Sequence, residues 1–178
     1  MVAACGPAAA AQNQPRLFSL APSFAPQREG PPPGRPYFVD FRAGYQSITG
    51  HTYIVFGRLS ADGHVESIQN ADILPINQDA AVVGTLVPIR AQVQVRDGDS
   101  KRDVTIDYRR YLSAAEFSRM RAAIRHQRTI DRQWSLLLFN CNDFAGEIAE
   151  ALGLRRPPGA MLPNMFVASL RLLNGRED

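Results

Sequence analysis

The stretch TYIVFGRLSADGHVESIQ, residues 52–69, decides the fold because it has the pattern of two strands joined by a tight turn. TYIVFGRL (52–59) is apolar on both faces, which predicts a strand at the centre of a sheet. SADG follows, with Asp-Gly at the centre of the turn, and HVESIQ (64–69) then returns as the antiparallel partner. With a tight turn, residues whose numbers sum to about 125 face each other across the hairpin.

Strand-like segments occupy much of the chain around this hairpin. Runs of β-branched and aromatic residues predict four more strands, with Pro88 favouring an edge or a break in one of them. These segments are YFVDF (37–41), AVVGTLVPI (81–89), AQVQVR (91–96) and DVTIDY (103–108). RDGDSK (96–101) is expected to form the turn between the last two.

Three amphipathic segments predict helices. Ser113 and Glu116 have the spacing of a capping box, and the helix that they begin is expected to run to about residue 128. A second helix begins near Cys141, and its apolar residues form one stripe: Phe144, Ala145, Ile148, Ala149 and Leu152. A third covers residues 164–173. Together with the strands, these segments predict an α+β fold in which an antiparallel sheet packs against helices.

The length and composition are those of one folded domain. The chain has 178 residues, 45% of them hydrophobic and 21% charged, which supports one core rather than two. The formal net charge of +3 comes from arginines that are scattered along the chain. The sequence has no basic stripe interleaved with aromatic residues, so nucleic acid is not an expected partner.

The first 36 residues are predicted to form a disordered Ala/Pro-rich arm that tethers a domain at 37–178. Eight of the thirteen prolines precede residue 37. VAAC, at Val2–Cys5, has the small-residue pattern that ends a bacterial lipoprotein signal. Cys5 is therefore either the site of a lipid anchor or a free cysteine in the arm.

Cys141 lies where the strand-like run WSLLLF (134–139) meets the second predicted helix. Unpaired backbone N–H groups and the helix dipole stabilise a thiolate at a helix N-terminus. Asn140 and Asn142 favour such a terminus, and the N–H groups of residues 141 and 142 are candidate donors to an oxyanion. Asp143 would raise the pKa of the thiol if its carboxylate turned inward. The alternative interpretation makes Cys141 an ordinary core thiol at the end of a strand.

A nucleophilic thiol needs a base, and three histidines are available. His126 falls near the Arg-rich end of the first helix, where a solvent-facing or capping histidine is expected. His51 begins the central strand after a flexible glycine, and from there it can lean onto a helix N-terminus. His64 begins the partner strand, but the register keeps it beside the turn. The register favours other residues as the orienting third group: Gln69, Asn70 or Asp72.

GHTYIVFG (50–57), followed ninety residues later by FNCNDFAGEIAEALG (139–153), resembles the circularly permuted branch of the NlpC-type papain-like superfamily. That branch places the histidine strand before the cysteine helix. Its lecithin:retinol acyltransferase-like members carry NCEHF and its PPPDE peptidases an NCNHF-like motif, where this chain has NCNDF. The resemblance implies Cys141 as nucleophile and His51 as base. Acyltransferase-like members place a second histidine about a dozen residues after the first, which favours His64 as a third catalytic residue.

The resemblance implies a permuted papain-like, cysteine-dependent hydrolase or acyltransferase that needs no metal or organic cofactor. If Cys5 is lipidated, the protein is anchored to a membrane in the bacterial periplasm. Its substrate is then a peptide, peptidoglycan or an acyl lipid of the cell envelope. The alternative is a non-catalytic envelope lipoprotein that uses the same fold for binding or scaffolding.

Overall fold

A computed structural model describes residues 30–45, 50–77, 87–99 and 103–175, which form an α+β fold. The six strands of the described ranges make one antiparallel sheet with the order β5-β1-β2-β3-β4-β6. The strands are β1 (Tyr37–Tyr45), β2 (His51–Leu59), β3 (Val65–Pro75), β4 (Ile89–Asp97), β5 (Asp103–Leu112) and β6 (Arg132–Trp134). The helices are α1 (Ala114–Thr129), α2 (Cys141–Ala151) and α3 (Pro163–Asn174). The predicted fold class is confirmed.

The central hairpin has the predicted register. Ile54 pairs with Ala71 and Phe56 with Gln69, so the paired numbers sum to 125 until an irregularity at Leu59. The same register, carried one residue further, places Asp72 opposite Tyr53. Because side chains alternate along a strand, Asp72 and Tyr53 then lie on one face of the sheet. This placement brings a carboxylate from β3 toward the first residues of β2.

The connection from β4 to β5 differs from the predicted turn. These strands are not neighbours, because β5 pairs with β1 and the connection must pass β3, β2 and β1. On that path the Gly98 carbonyl accepts from Asn70 Nδ2 on β3 at 2.9 Å. Asp99 Oδ1 accepts from Arg42 Nη1 on β1 at 2.7 Å. Turn-forming residues therefore mark a change of direction here and do not specify which strands pair.

The main core lies between the sheet and the helices. It is formed by alternate residues of the strands with one face of each helix, including Phe41, Ile54, Ile73, Phe144 and Phe166. The stripe predicted for α2 is buried at four of its positions, and Leu152 packs against the same core. A second, smaller cluster contains Phe38, Tyr53, Val55 and Leu59. The alternation along β1 and β2 assigns this cluster to the other face of the sheet.

The first helix begins as predicted. Ser113 Oγ accepts from the Glu116 N–H at 3.3 Å, and the Glu116 carboxylate accepts from the Ser113 N–H at 2.8 Å. Both hydrogen bonds of the capping box are therefore present. Met120 and Ile124 are buried on its inner face, while His126 is exposed in the last turn.

The prediction of a strand at 134–139 is wrong beyond Trp134. β6 ends there, and Ser135 and Phe139 exchange backbone hydrogen bonds of 2.8 and 3.2 Å around a turn at 136–138. Asn140 Nδ2 donates to the Leu136 carbonyl at 2.9 Å, which further closes the turn. The apolar run suggested burial, but these hydrogen bonds bend the chain outward and leave Leu136, Leu137 and Leu138 exposed.

Part of the predicted N-terminal arm contacts the domain. Arg35 Nη1 donates to the Tyr111 carbonyl at 2.8 Å, and the Pro36 carbonyl accepts from the Leu59 N–H at 2.8 Å. Cys5 and the rest of the arm to residue 29 lie outside the described residues, as does most of the segment predicted as a strand at 81–89. Within the described ranges, the helices are too short or too polar to cross a membrane.

A buried ion cluster joins β1 to β5. Asp40 is fully buried and accepts from Arg109 Nε at 2.5 Å, from Arg109 Nη2 at 2.7 Å and from Arg42 Nη2 at 2.7 Å. Burial alone would raise the pKa of Asp40, but the two guanidinium groups outweigh it and hold that pKa below its usual range. The Arg109 guanidinium also lies 4.5 Å from the centroid of the Phe38 ring.

Replacing Asp40 with Asn should lower the free energy of unfolding by about 3–5 kcal/mol, because Arg109 would lose its buried counter-charge and Arg42 would keep only Asp99. Urea denaturation at neutral pH measures the change. Asp131→Asn is the matched control, since Asp131 pairs with Arg90 where both side chains are more than two-thirds exposed. Its effect should stay under about 1 kcal/mol. Equal effects of the two substitutions would contradict a structural role for the cluster.

Candidate active site

Cys141 is the first residue of α2 and is partly exposed. Asn140 is the N-cap, with extended backbone angles and a side-chain oxygen that accepts from the Asn142 N–H at 2.8 Å. Asp143 completes a capping box by accepting from the Asn140 N–H at 2.9 Å. The sequence around the cysteine therefore specifies the helix start, and it places the thiol in the first turn, where the helix dipole favours a thiolate.

Asn142 is buried and attaches this helix start to two other parts of the chain. Its Oδ1 accepts from Thr52 Oγ1 on β2 at 2.5 Å. Its Nδ2 donates to the carbonyls of Gly159 at 2.9 Å and Met161 at 2.7 Å. The position of Cys141 relative to the start of β2 is therefore held by hydrogen bonds with defined directions.

Asp143, whose carboxylate the sequence suggested could raise the pKa of the Cys141 thiol, has other partners. Its carboxylate is occupied by the N–H of Asn140 and by an ion pair with Arg156 Nη2. Arg156 also contacts Glu150 at 3.5 Å along the same helix. The carboxylate is thus paired with a guanidinium and a backbone N–H within the helix cap.

His51 is the first residue of β2 and is buried. Gly50 precedes it with a φ of +80°, a conformation that favours glycine, and a Cβ there would lie 3.6 Å from the ring of Pro163. His51 Nε2 lies 3.3 Å from Asp72 Oδ2, and the imidazole is close enough to the Cys141 thiol for each group to shift the pKa of the other. Because Nε2 faces Asp72, Nδ1 is the ring nitrogen left for the thiol.

The thiol and the imidazole shift each other's pKa. Burial would raise the pKa of Cys141, but hydrogen bonding to His51, its positive charge and the N–H groups of Thr52 and Asn142 lower it. Burial would lower the pKa of His51, but hydrogen bonds to Asp72 and Cys141 raise it to about 9. Both directions favour a thiolate beside an imidazolium, which is the activated form of a nucleophilic cysteine.

Asp72 is the third member of the cluster, and it was one of three residues that the register left open. It is fully buried on β3, and its second oxygen lies 3.1 Å from Arg96 Nη1. Arg96 lies on β4 and also hydrogen-bonds Gln94. Sequence reasoning did not identify Arg96. The available signal was its place in the strand AQVQVR, but the pairing of β4 with β3 was needed to bring it to Asp72.

The other proposed third residues lie elsewhere. His64 is highly exposed beside the hairpin turn, where its Nε2 lies 3.4 Å from Asp62. It is therefore at the opposite end of the hairpin from His51, and the thirteen-residue spacing that favoured it does not bring it to Cys141. Gln69 Nε2 donates to Asp97 at 2.8 Å, and Asn70 Nδ2 donates to the connection after β4.

The two predicted oxyanion donors, the N–H groups of Cys141 and Asn142, differ in whether an acceptor already occupies them. The Asn142 N–H donates to Asn140 Oδ1, so a substrate oxygen would have to compete with the helix cap. The Cys141 N–H occupies the first helical position, where no intrahelical carbonyl is available. The Asn140 side chain is also engaged, donating to Leu136 and to Gly159 at 3.2 Å. Asn140 and Asn142 therefore position the helix, while Cys141 offers the freer N–H group.

The arrangement can perform nucleophilic chemistry at a carbonyl carbon. It combines a thiol whose pKa is lowered, an imidazole that interacts with it and a buried carboxylate 3.3 Å from that imidazole. Among the described residues, no group of three or more histidine, cysteine, aspartate or glutamate side chains is arranged to hold a metal ion.

Comparisons of this chain with protein-family models, with curated proteins and with solved structures found no match.

Replacing Asp72 with Asn should lower the pKa of His51 from about 9 toward its ordinary value of about 6.5, because the imidazolium loses its counter-charge. An NMR titration of the imidazole protons measures this pKa. Asp62→Asn is the matched control, since it removes the carboxylate beside the exposed His64 and should leave His51 unchanged. An unchanged His51 titration in Asp72→Asn would rule out the proposed pairing.

Replacing Gly159 with Ala should destabilise the protein by about 1–3 kcal/mol, because a Cβ there would overlap the buried Asp143 carboxylate. Thermal unfolding measures the loss. Ala160→Ser changes the exposed neighbouring residue and should stay within about 0.5 kcal/mol. If the two variants were equally stable, the loop would not be packed against the start of α2.

Proposed function

We propose that the protein is a cysteine-dependent hydrolase or acyltransferase, with Cys141 as nucleophile, His51 as general base and Asp72 as the orienting carboxylate. The observation that supports this proposal best is the placement of His51 between the two other groups: its Nε2 lies 3.3 Å from a fully buried carboxylate, and its imidazole and the Cys141 thiol shift each other's pKa. A structural cysteine needs no such partners, whereas an activated one needs each of them.

The reaction begins with attack of the Cys141 thiolate on the carbonyl carbon of an amide, ester or thioester. The thiol proton resides on His51, and the oxyanion that forms is stabilised by the Cys141 N–H. His51 then gives its proton to the departing amine, alcohol or thiol, which leaves an acyl-thioester on Cys141. Water or a second acceptor attacks this thioester, gives a proton to His51, and releases the acyl group with return of the thiol.

The order of the two motifs supports a permuted papain-like arrangement, in which the histidine strand precedes the cysteine helix. In this chain Asp143 stands where the similar motifs carry histidine, and its carboxylate serves the helix cap and Arg156. The departure therefore removes no member of the proposed triad. The proposed location is the bacterial cell envelope, with a lipid anchor at Cys5. The proposed substrate is a peptide, peptidoglycan or an acyl lipid.

Alkylation of Cys141 by iodoacetamide across pH 4–9 tests the proposed activation. In a Cys5→Ser background only Cys141 can react, because the chain has two cysteines. An ordinary thiol has a pKa of about 8.5, and His51 lowers the pKa of Cys141. The alkylation rate should therefore reach half its maximum well below that pH. In His51→Ala this midpoint should move upward, because burial then acts without the opposing imidazolium.

His64→Ala is the matched control for His51→Ala, since it removes a histidine that is exposed and distant from the thiol. Its alkylation profile should coincide with that of the parent. If Cys141 reacted with the midpoint of a free cysteine, or only after unfolding, the catalytic proposal would fail. The protein would then be a non-catalytic module that uses this fold for binding.

A further inference from the structure

Exposed apolar side chains cluster beside the start of α2. The turn after β6 exposes three successive leucines, with 39% of Leu136, 74% of Leu137 and 75% of Leu138 accessible. Leu162 and Met165, at the start of α3, are each more than half exposed. Single exposed leucines are common, but three in succession at the tip of a turn indicate a contact surface. We call these five residues the leucine rim.

The leucine rim is attached to the candidate active site by hydrogen bonds. Asn140, which caps the helix of Cys141, donates to the Leu136 carbonyl at 2.9 Å. Asn142, the residue after Cys141, donates to the Met161 carbonyl at 2.7 Å, next to Leu162. The apolar residues therefore have defined positions, and they project from segments in contact with both neighbours of the thiol.

The segments that carry the leucine rim contain no ionisable acid or base apart from the Cys141 thiol. Residues 135–142 have the sequence SLLLFNCN, and residues 157–165 have PPGAMLPNM. The first carboxylate after Cys141 is that of Asp143, which is neutralised by Arg156. Segments without ionisable side chains of their own can enter the interfacial layer of a membrane without the cost of desolvating those groups.

The size and shape of the leucine rim fit a bilayer better than a protein partner. A stable protein interface uses about 20–30 residues from each side, whereas the rim has five. Its most exposed members, Leu137 and Leu138, stand at the tip of a turn, and a protruding apolar tip enters acyl chains readily.

We propose that the leucine rim docks the protein on a lipid bilayer, with Leu137 and Leu138 inserted among the acyl chains. Docking in this way brings the N-terminus of α2, and with it Cys141, to the membrane surface. The contact is made by folded residues of the domain, so it is independent of a lipid at Cys5. It is also independent of the proposed chemistry, because none of the five residues belongs to the Cys141, His51 and Asp72 cluster.

Cosedimentation with phosphatidylcholine vesicles tests the proposal. The full chain carrying Cys5→Ser should bind, and Leu137→Asp with Leu138→Asp should reduce its partition coefficient at least tenfold. Leu172→Asp is the matched control, because Leu172 is 85% exposed but lies about 15 Å along α3 from Leu162. It should change the partition coefficient less than twofold.

Two further measurements make the outcome decisive. Cys141→Ser should bind vesicles like the parent, which separates failure of docking from failure of the proposed function. The double aspartate variant should keep the midpoint of thermal unfolding of the parent within a few degrees, which shows that its fold is intact. Failure of the parent to bind neutral vesicles would overturn the proposal. Equal binding by the double variant and Leu172→Asp would do the same, since the bound surface would then lie elsewhere.

Discussion

The side-chain amide of Asn142 is the contact on which the candidate site depends, because it joins three segments that are distant in the sequence. It accepts from Thr52 at the start of β2 and donates to Gly159 and Met161 in the loop before α3. A buried amide that lost one partner would leave a polar group without a hydrogen bond. The helix start therefore has one well-defined position against β2, and Cys141 meets His51 as a consequence.

In the proposed activated form, charges alternate along the site, from the Cys141 thiolate through the His51 imidazolium and the Asp72 carboxylate to the Arg96 guanidinium. Each of the first three has low exposure to solvent, where an isolated charge is expensive. Alternation reduces that cost, because every charge has an opposite neighbour within contact distance. The rings of His51 and Tyr53 are nearly parallel with centroids 6.3 Å apart, which restricts the imidazole further.

Local patterns in the sequence predicted the elements whose determinants are close together in the chain. The hairpin register follows from the turn at SADG, and the start of α1 follows from a capping box of residues three apart. The strand predicted at 134–139 failed because apolar character alone cannot distinguish a buried strand from an exposed turn. The turn predicted between β4 and β5 failed because strand pairing depends on contacts with β1, including the ion pair of Asp40 with Arg109.

By itself, the sequence determined the α+β class and the helix start at Cys141, since these follow from the spacing of apolar residues and from capping. It also gave the pairing of Cys141 with His51 as a hypothesis, from the order of the two motifs. Tertiary structure alone decided between Asp72 and His64, because a short spacing along the chain does not place two residues at the same end of a hairpin. It also brought Arg96 to Asp72 and placed the leucine rim beside Cys141. The reason is physical: those contacts join different strands and loops, whose neighbours are set by packing across the whole domain.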